Sequence, residues 1–267
     1  MSVKEEDAKV AKTLSRIKNR ILVFSGKGGV GKSTVAANIA FALSLRKRQV
    51  GLLDVDIHGP NLALMLGVKD RKLGFSNGSI QPVPINDHLR LVSTSFLLED
   101  PDLPVIWRGP MKMKVIQQFL GDVDWGDLDW LVIDSPPGTG DEPLSVAQLI
   151  PATGAVIVTT PQDVSILDSR KAVTFARTLK LKVIGIIENM SGLTCPHCGR
   201  QIDLFKTGGG EQAAAELGVP FLGRIPIDPR IVVGGDEGKP FAGRPADSEA
   251  ARAFEEIVDK VVDDELP

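Results

Sequence analysis

Cysteine is scarce: the 267-residue sequence has two, both inside Cys195-Pro196-His197-Cys198. That count excludes a disulfide framework of the kind that stabilises small secreted domains. It also leaves too few thiolates to close a four-sulfur metal site within one chain. No apolar run approaches the roughly eighteen residues of a membrane span, and the start (Lys4, Glu5, Glu6, Asp7, Lys9, Lys12) lacks the apolar core of a secretory signal. Nor is there an excess of positive charge. Thirty-one Lys and Arg against 34 Asp and Glu leave −3, so the broad electropositive face that nucleic acid or an anionic membrane wants is missing, and any anion site has to be local. A cytoplasmic protein is the expectation. No Ser/Gly linker, internal repeat or nucleophilic triad is visible. With 43% apolar and 24% charged residues the composition is ordinary for a globular chain, and the length allows one large domain or two small ones.

What is present is a rhythm. Apolar runs at 20–25, 49–54, 89–94, 130–135, 155–160, 183–188 and 220–225 alternate with helical spacing at 34–45, 111–120, 144–149, 164–179, 210–217 and 247–262. Several runs, such as Leu131-Val132-Ile133 and Val156-Ile157-Val158, are apolar on both faces, as strands of a covered parallel sheet must be. The expected fold is α/β, a doubly wound, mostly parallel sheet flanked by helices. Val10, Leu14 and Ile17 have helical spacing and predict a helix ending near Asn19. Residues 1–20 therefore read as a helical extension and 21–267 as one domain. Residues 70–87, with Gly74, Asn77-Gly78, Pro82 and Pro84, predict a loop or small hairpin. In the last helix Ala250, Phe254, Ile257, Val258 and Val261 share a face, while Glu255, Glu256, Asp259, Asp263 and Asp264 lie elsewhere. An acidic polar face predicts docking on the core, since a membrane-surface helix wants Lys and Arg there.

Gly26-Lys27-Gly28-Gly29-Val30-Gly31-Lys32-Ser33 fits G-x-x-x-x-G-K-[ST], and it falls between an expected strand and the helix opening at Thr34. Glycines let successive N–H groups curl around phosphate oxygens, and the helix N-terminus adds partial positive charge. Lys32 would reach the β- and γ-phosphates of ATP, and the Ser33 hydroxyl one Mg²⁺ position. Asp134 closes Trp130-Leu131-Val132-Ile133 and reads as the second Mg²⁺ anchor, because ligands gather at the ends of parallel strands. Asp54 and Asp56 end an earlier run one residue apart and are expected to point to opposite sides of an extended strand, so that only one faces the γ-phosphate. His58 and His88 read as ordinary polar residues.

Lys27 sharpens the reading. The loop from Gly26 to Ser33 resembles the deviant Walker A loop of the ParA/MinD branch of P-loop NTPases, whose early lysine crosses a homodimer interface to the partner's nucleotide. The resemblance implies that Lys27 acts in trans and Lys32 in cis. Other motifs extend the likeness, from about residue 19 to about 243, to the Mrp-type iron–sulfur cluster carriers. Asp54-Val55-Asp56-Ile57-His58-Gly59-Pro60-Asn61 resembles their switch I and implies that Asp56 orients the attacking water. The stretch from Trp130 to Asp141, with Asp134-Ser135-Pro136-Pro137-Gly138-Thr139-Gly140, resembles their Walker B and switch II, with Ser135 where a larger apolar residue is commoner. Trp107-Arg108-Gly109-Pro110 and residues 234–240 are further family phrases without an assignable role. Glu188-Asn189-Met190 and Ile225-Pro226-Ile227-Asp228-Pro229 resemble the adenine-holding segments, which implies that Asn189, Pro226 and Asp228 lie against the base.

Cys195 and Cys198 admit three readings. A thioredoxin-like dithiol wants a helix starting at the first cysteine, and 199–205 shows no helical face. Zinc needs four ligands, so two chains would have to share it. A [4Fe–4S] cluster bridging two subunits satisfies the ligand count and is what the resemblance implies. The implied activity is ATP hydrolysis coupled to binding the cluster in a homodimer and passing it to apoproteins. Some relatives carry a cysteine-rich N-terminal extension or an added domain; the short start here, without cysteine, leads one to expect transfer through separate partners. The rivals are a ParA/MinD-type positioning ATPase, disfavoured by the charge balance and the acidic last helix, and a P-loop enzyme that phosphorylates a small metabolite.

Overall fold

A computed structural model describes residues 3–98, 109–195, 197–202, 204–243 and 248–263. Helix α1 (Val3–Leu14) leads into β1 (Ile17–Ser25), and the phosphate loop follows before α2 (Lys32–Leu45). Then come β2 (Val50–Asp54), α3 (Leu62–Met65), β3 (Gly74–Ser76), β4 (Ser79–Gln81), β5 (Val83–Pro84), β6 (Leu89–Ser93) and a 3₁₀ turn (Thr94–Leu97). The middle holds α4 (Gly109–Gly121), β7 (Leu128–Asp134), α5 (Asp141–Leu149), β8 (Gly154–Thr159) and α6 (Asp163–Thr178). The rest is β9 (Val183–Thr194), β10 (Gln201–Ile202), α7 (Gly209–Leu217), β11 (Phe221–Ile227), α8 (Pro229–Asp236) and α9 (Glu249–Asp263). Trp107, Arg108, Asp247 and Asp264 lie outside the described residues; Gly109 and Pro110 open α4.

The main sheet runs β10-β9-β8-β1-β7-β2-β6-β5, with β11 also on β9. Within this sheet, among the described residues, only the edge strands β5 and β10 pair antiparallel. The two-faced apolar runs explain this arrangement. Along β1, Ile21 and Val23 join a core beneath α2 and α9, while Leu22 and Phe24 join a second core beneath α4 and α6. Strand β1 lies between β8 and β7, and β2 pairs on the far side of β7. The ends of β1, β2 and β7 therefore converge on one rim, where ligands of open α/β sheets sit. Helix α9 buries Phe254, Ile257, Val258 and Val261, and Asp259 on its outer side pairs with Arg46 at 2.7 Å. No described helix is long and apolar enough to cross a membrane.

One reading changes, one holds and one helix is added. Helix α1 stops at Leu14, not near Asn19, because Ile17 already pairs with Leu128 in the sheet and Leu128 N–H donates to the Arg16 carbonyl. A tertiary strand partner outweighs helical spacing there. Helix α1 lies on α4, with Lys9 paired to Asp122 and the Thr13 hydroxyl donating to the Gly121 carbonyl. The region 70–87 does contain a hairpin, β3 and β4 turning on Asn77 and Gly78, both at positive φ. Helix α8 was not legible as a helix, since Gly234 and Gly235 weaken its pattern. Its Asp228 cap and first-turn Pro229 hold it.

Candidate phosphate site and thiol knuckle

The loop after β1 and the ends of β2 and β7 enclose a cavity of about 410 Å³, lined among others by Gly29, Lys32, Ser33, Thr34, Asp56, His58 and Pro137. Gly31 caps α2 in the left-handed region at φ 81°, and a Cβ there would stand 2.2 Å from the Asn189 amide nitrogen. Gly26 is required for another reason, because its Cβ would run into the Asp168 carbonyl of α6 at 2.3 Å. Gly28 and Val30 complete the curl, and Lys27 is half-buried with no hydrogen bond or ion pair to a described residue.

Lys32 is buried, and its Nζ donates to Asp134 Oδ1 at 2.6 Å and stands 3.6 Å from Asp56 Oδ2. Two carboxylates thus hold the ammonium where a phosphate would otherwise neutralise it. Asp134 is itself buried, and its Oδ2 has no hydrogen-bond partner among the described residues; nor has the hydroxyl of Ser25, which lies on the cavity wall. Burial pushes the Asp134 carboxyl above the usual carboxylate range, against the pull of Lys32. The Ser33 side chain also approaches the Asp134 carboxyl, and a carboxylate with an orphaned oxygen beside a hydroxyl-bearing residue suits a hard divalent cation, which takes oxygen ligands. Ser135 follows, and its hydroxyl donates to the Val23 carbonyl at 2.6 Å, a bond that an apolar side chain at this position could not make.

Asp54 and Asp56 are separated by the end of β2, not by strand alternation, since residues two apart share a strand face. Asp54 is the last residue of β2, between Ser93 and Asp134 in the sheet and fully buried, and its carboxyl accepts from the Ser93 hydroxyl at 2.9 Å and from Asp56 N–H at 3.2 Å. Asp56 lies beyond the strand and reaches the cavity. Burial, reinforced by Asp134, pushes Asp54 up to about 8. A carboxyl raised from 3.8 to about 8 binds its proton more tightly in the folded state. Stability of the nucleotide-free protein therefore falls as pH rises through that interval. Asp54→Asn, which preserves the neutral donor and acceptor pair, is expected to flatten this slope in urea titrations from pH 5 to 8; an unchanged slope would contradict the assignment.

Across the sheet Asn189 donates to the Val30 carbonyl at 2.9 Å, leaving its own oxygen available. Ile225 pairs with Asn189 in register, and Pro226 falls at the irregularity before Ile227, where a missing N–H is tolerated. Asp228 caps α8 and holds Arg230 at 2.8 Å, so its carboxylate already has structural work. Sequence reasoning placed Glu188 in a motif but gave it no role of its own. Fully buried, it accepts from Gly208 N–H at 2.9 Å and from Gly210 N–H and Ser191, fastening the α7 terminus to β9. Missed altogether was Lys112, whose Nζ reaches His58 and Glu142. The available signal was a lysine on the apolar stripe of α4, in step with Ile116, Phe119 and Leu120.

The cysteines cap a hairpin. Thr194 and Leu193 of β9 pair with Gln201 and Ile202 of β10. Cys195 N–H donates to the Arg200 carbonyl and Gly199 N–H to the Cys195 carbonyl, each at 2.9 Å. No helix begins at Cys195, as a thioredoxin-type site would have it. Cys195 is partly exposed and Cys198 exposed. Backbone N–H groups of His197 and Cys198, with the Cys198 thiol, draw the Cys195 thiol below its ordinary value, favouring the metal-binding thiolate. Among the described residues no group of three or more His, Cys, Asp and Glu is placed to hold a metal. The knuckle offers two ligands.

A protein from Methanocaldococcus jannaschii named iron-sulfur cluster carrier protein is 50% identical over 260 residues, 97% of this chain and 89% of its own length. A nucleotide-binding protein from Archaeoglobus fulgidus, solved with ADP, is 39% identical with TM-score 0.79, covering 87% of this chain and 91% of its own. The cell division ATPase MinD of Pyrococcus furiosus is more distant, 25% identical with TM-score 0.65 over 92% and 99% of the two chains. Residues 16–262 match the family described as ParA: NUBPL iron-transfer P-loop NTPase. The chain, with its phosphate loop on β1 and its paired thiols beyond β9, belongs to that family of iron-transfer P-loop NTPases.

Proposed function

We propose that this chain is an ATP-hydrolysing iron–sulfur cluster carrier that works as a homodimer in the cytoplasm, holds a [4Fe–4S] cluster as cargo between two Cys195/Cys198 pairs, and delivers it to apo iron–sulfur proteins. The observation that carries the reading is the two-ligand thiol knuckle on the same chain as a phosphate site. Half a sulfur ligand set per chain requires a second copy. The relatives' name and the family support the cargo.

At the nucleotide, N–H groups from Gly26 to Thr34 cradle the phosphates, and Lys32 leaves Asp134 for the β- and γ-oxygens. Ser33 and Asp134 are the residues fitted to hold Mg²⁺, which when bound neutralises charge developing on the phosphates. Asp56 orients the attacking water, Lys27 supplies charge to the partner's nucleotide, and the Asn189 oxygen accepts from the adenine amino group, with Pro226 against the ring and Asp228 holding the α8 end of the pocket. Positioning and electrostatics carry such a reaction, with little covalent work for the protein.

Anaerobic reconstitution of the wild type with iron and sulfide, read by visible absorption and sizing, is expected to yield about four irons per dimer. Transfer to an apo [4Fe–4S] acceptor should change in rate when ATP is added. Zinc retained in iron-rich preparations with no transferable cluster would sink the cargo, and transfer indifferent to nucleotide would sink the coupling. Zinc shared between two chains is the second reading the knuckle itself favours.

A further inference from the structure

We propose that Lys112 is a positioning residue that ties the Asp56 loop to the turn following Asp134, holding Asp56 in register with the phosphate loop; this rests on the reading that the chain hydrolyses ATP. Lys112 lies on the core-facing stripe of α4, 9% exposed, above Ile116, Phe119 and Leu120. A buried ammonium is tolerated only when paired. Its Nζ stands 2.7 Å from His58 Nε2 and 3.0 Å from Glu142 Oε1.

The chemistry of the three groups assigns the bonds. An ammonium can only donate, so His58 Nε2 must be the acceptor and the ring proton sits on Nδ1. In that tautomer His58 Nε2 has no proton for Glu142 Oε2, 3.4 Å away. The link between the loops therefore runs through Lys112. One end of this link is two residues beyond Asp56. The other is in the first turn of α5, directly after Gly138-Thr139-Gly140. His58, Asp56 and Pro137 share the cavity wall, while Lys112 is not among the residues lining it, so it acts through the loops it holds.

The role predicts a split between turnover and binding. Nucleotide affinity comes from the glycine loop and Lys32, which Lys112 does not touch. Water alignment depends on the Asp56 loop, where a displacement of about 1 Å can cost about 100-fold in rate. The test compares wild type with Lys112→Ala, Lys112→Met, which keeps the buried stem, and Lys112→Arg. Steady-state ATP hydrolysis, affinity for a fluorescent ADP analogue, and amide exchange with a non-hydrolysable ATP analogue bound are measured on each.

Expected are a kcat lower by about 10- to 100-fold for Ala and Met, affinity within about twofold, faster exchange confined to 55–61 and 136–143, and substantial recovery with Arg. Unchanged kcat in folded Lys112→Met beside an active wild type would overturn the tie. So would a loss matched by weakened binding, or exchange raised throughout the chain. If the wild type turns over no ATP, the hydrolysis reading falls by itself. Exchange at the two loops still decides about Lys112, with rates equal to wild type overturning the tie and rates raised at both supporting it.

Discussion

Replacing Cys195 and Cys198 together with serine is expected to take iron from about four per dimer to none and to abolish transfer, while nucleotide binding and the unfolding midpoint stay at wild-type values. The separation follows from how the knuckle is built. Its turn is closed by main-chain bonds, Cys195 N–H to the Arg200 carbonyl and Gly199 N–H to the Cys195 carbonyl, and its strands pair through the backbone of β9 and β10. Serine disturbs none of these. It removes the thiolates, the ligands proposed for the iron, and no group of three or more His, Cys, Asp and Glu among the described residues is placed to replace them. Each single substitution should be nearly as damaging, since it halves the sulfur set of the dimer. Cys195→Ser is expected to be the worse of the two, because Cys195 is the thiol held low by the His197 and Cys198 N–H groups. Iron content at wild-type level in the double variant would remove the knuckle from the cargo site altogether.

Lys32→Ala and Lys27→Ala are each expected to reduce ATP hydrolysis to background, yet an equimolar mixture of the two should recover about a quarter of wild-type activity. The arithmetic is that of a symmetric dimer: half the dimers formed are mixed, and each contains one intact composite site. In the proposed composite site one chain would contribute its own Lys32 and receive Lys27 from its neighbour. The different environments of the two lysines underlie the expectation. Lys32 is buried between Asp134 and Asp56 of its own chain; Lys27 is half-buried and makes no ion pair with a described residue. A mixture as inactive as its components, with subunit exchange verified by labelled chains, would place both lysines in cis. Lys32→Ala alone also leaves Asp134 buried without its counter-charge, so loss of thermal stability is expected to accompany loss of turnover, whereas Lys27→Ala should leave stability unchanged.

The positioning-ATPase alternative shares the fold, as the likeness to MinD shows. It needs a surface that finds a membrane or DNA. Helix α9 does not provide one: its apolar face is consumed by the sheet, and Asp259 on its outer side is engaged by Arg46. A phosphate loop alone does not separate the two activities. The thiol knuckle does, because it has no use in a protein whose product is location.

Much of this molecule is legible one residue at a time. Strands buried on both faces must be apolar throughout, so their runs announce a parallel sheet. A phosphate cradle needs glycines and a lysine at set spacing, so it stands out in the sequence. The cysteine pair, likewise, carries its own stoichiometry, two ligands where four are needed. Other features depend on distances that no local pattern encodes. Ile17 became strand because Leu128 waited beside it. Asp56 rather than Asp54 reached the cavity because β2 ends between them. Asp134 kept one oxygen unpartnered, Glu188 fastened a helix 20 residues away, and Lys112 met a histidine 54 positions distant. Spacing and composition report what a segment can bury or bind, which is a local property of the chain; which polar groups meet is decided by how the packed layers bring distant segments together, and the buried ones must meet because water is no longer there to satisfy them.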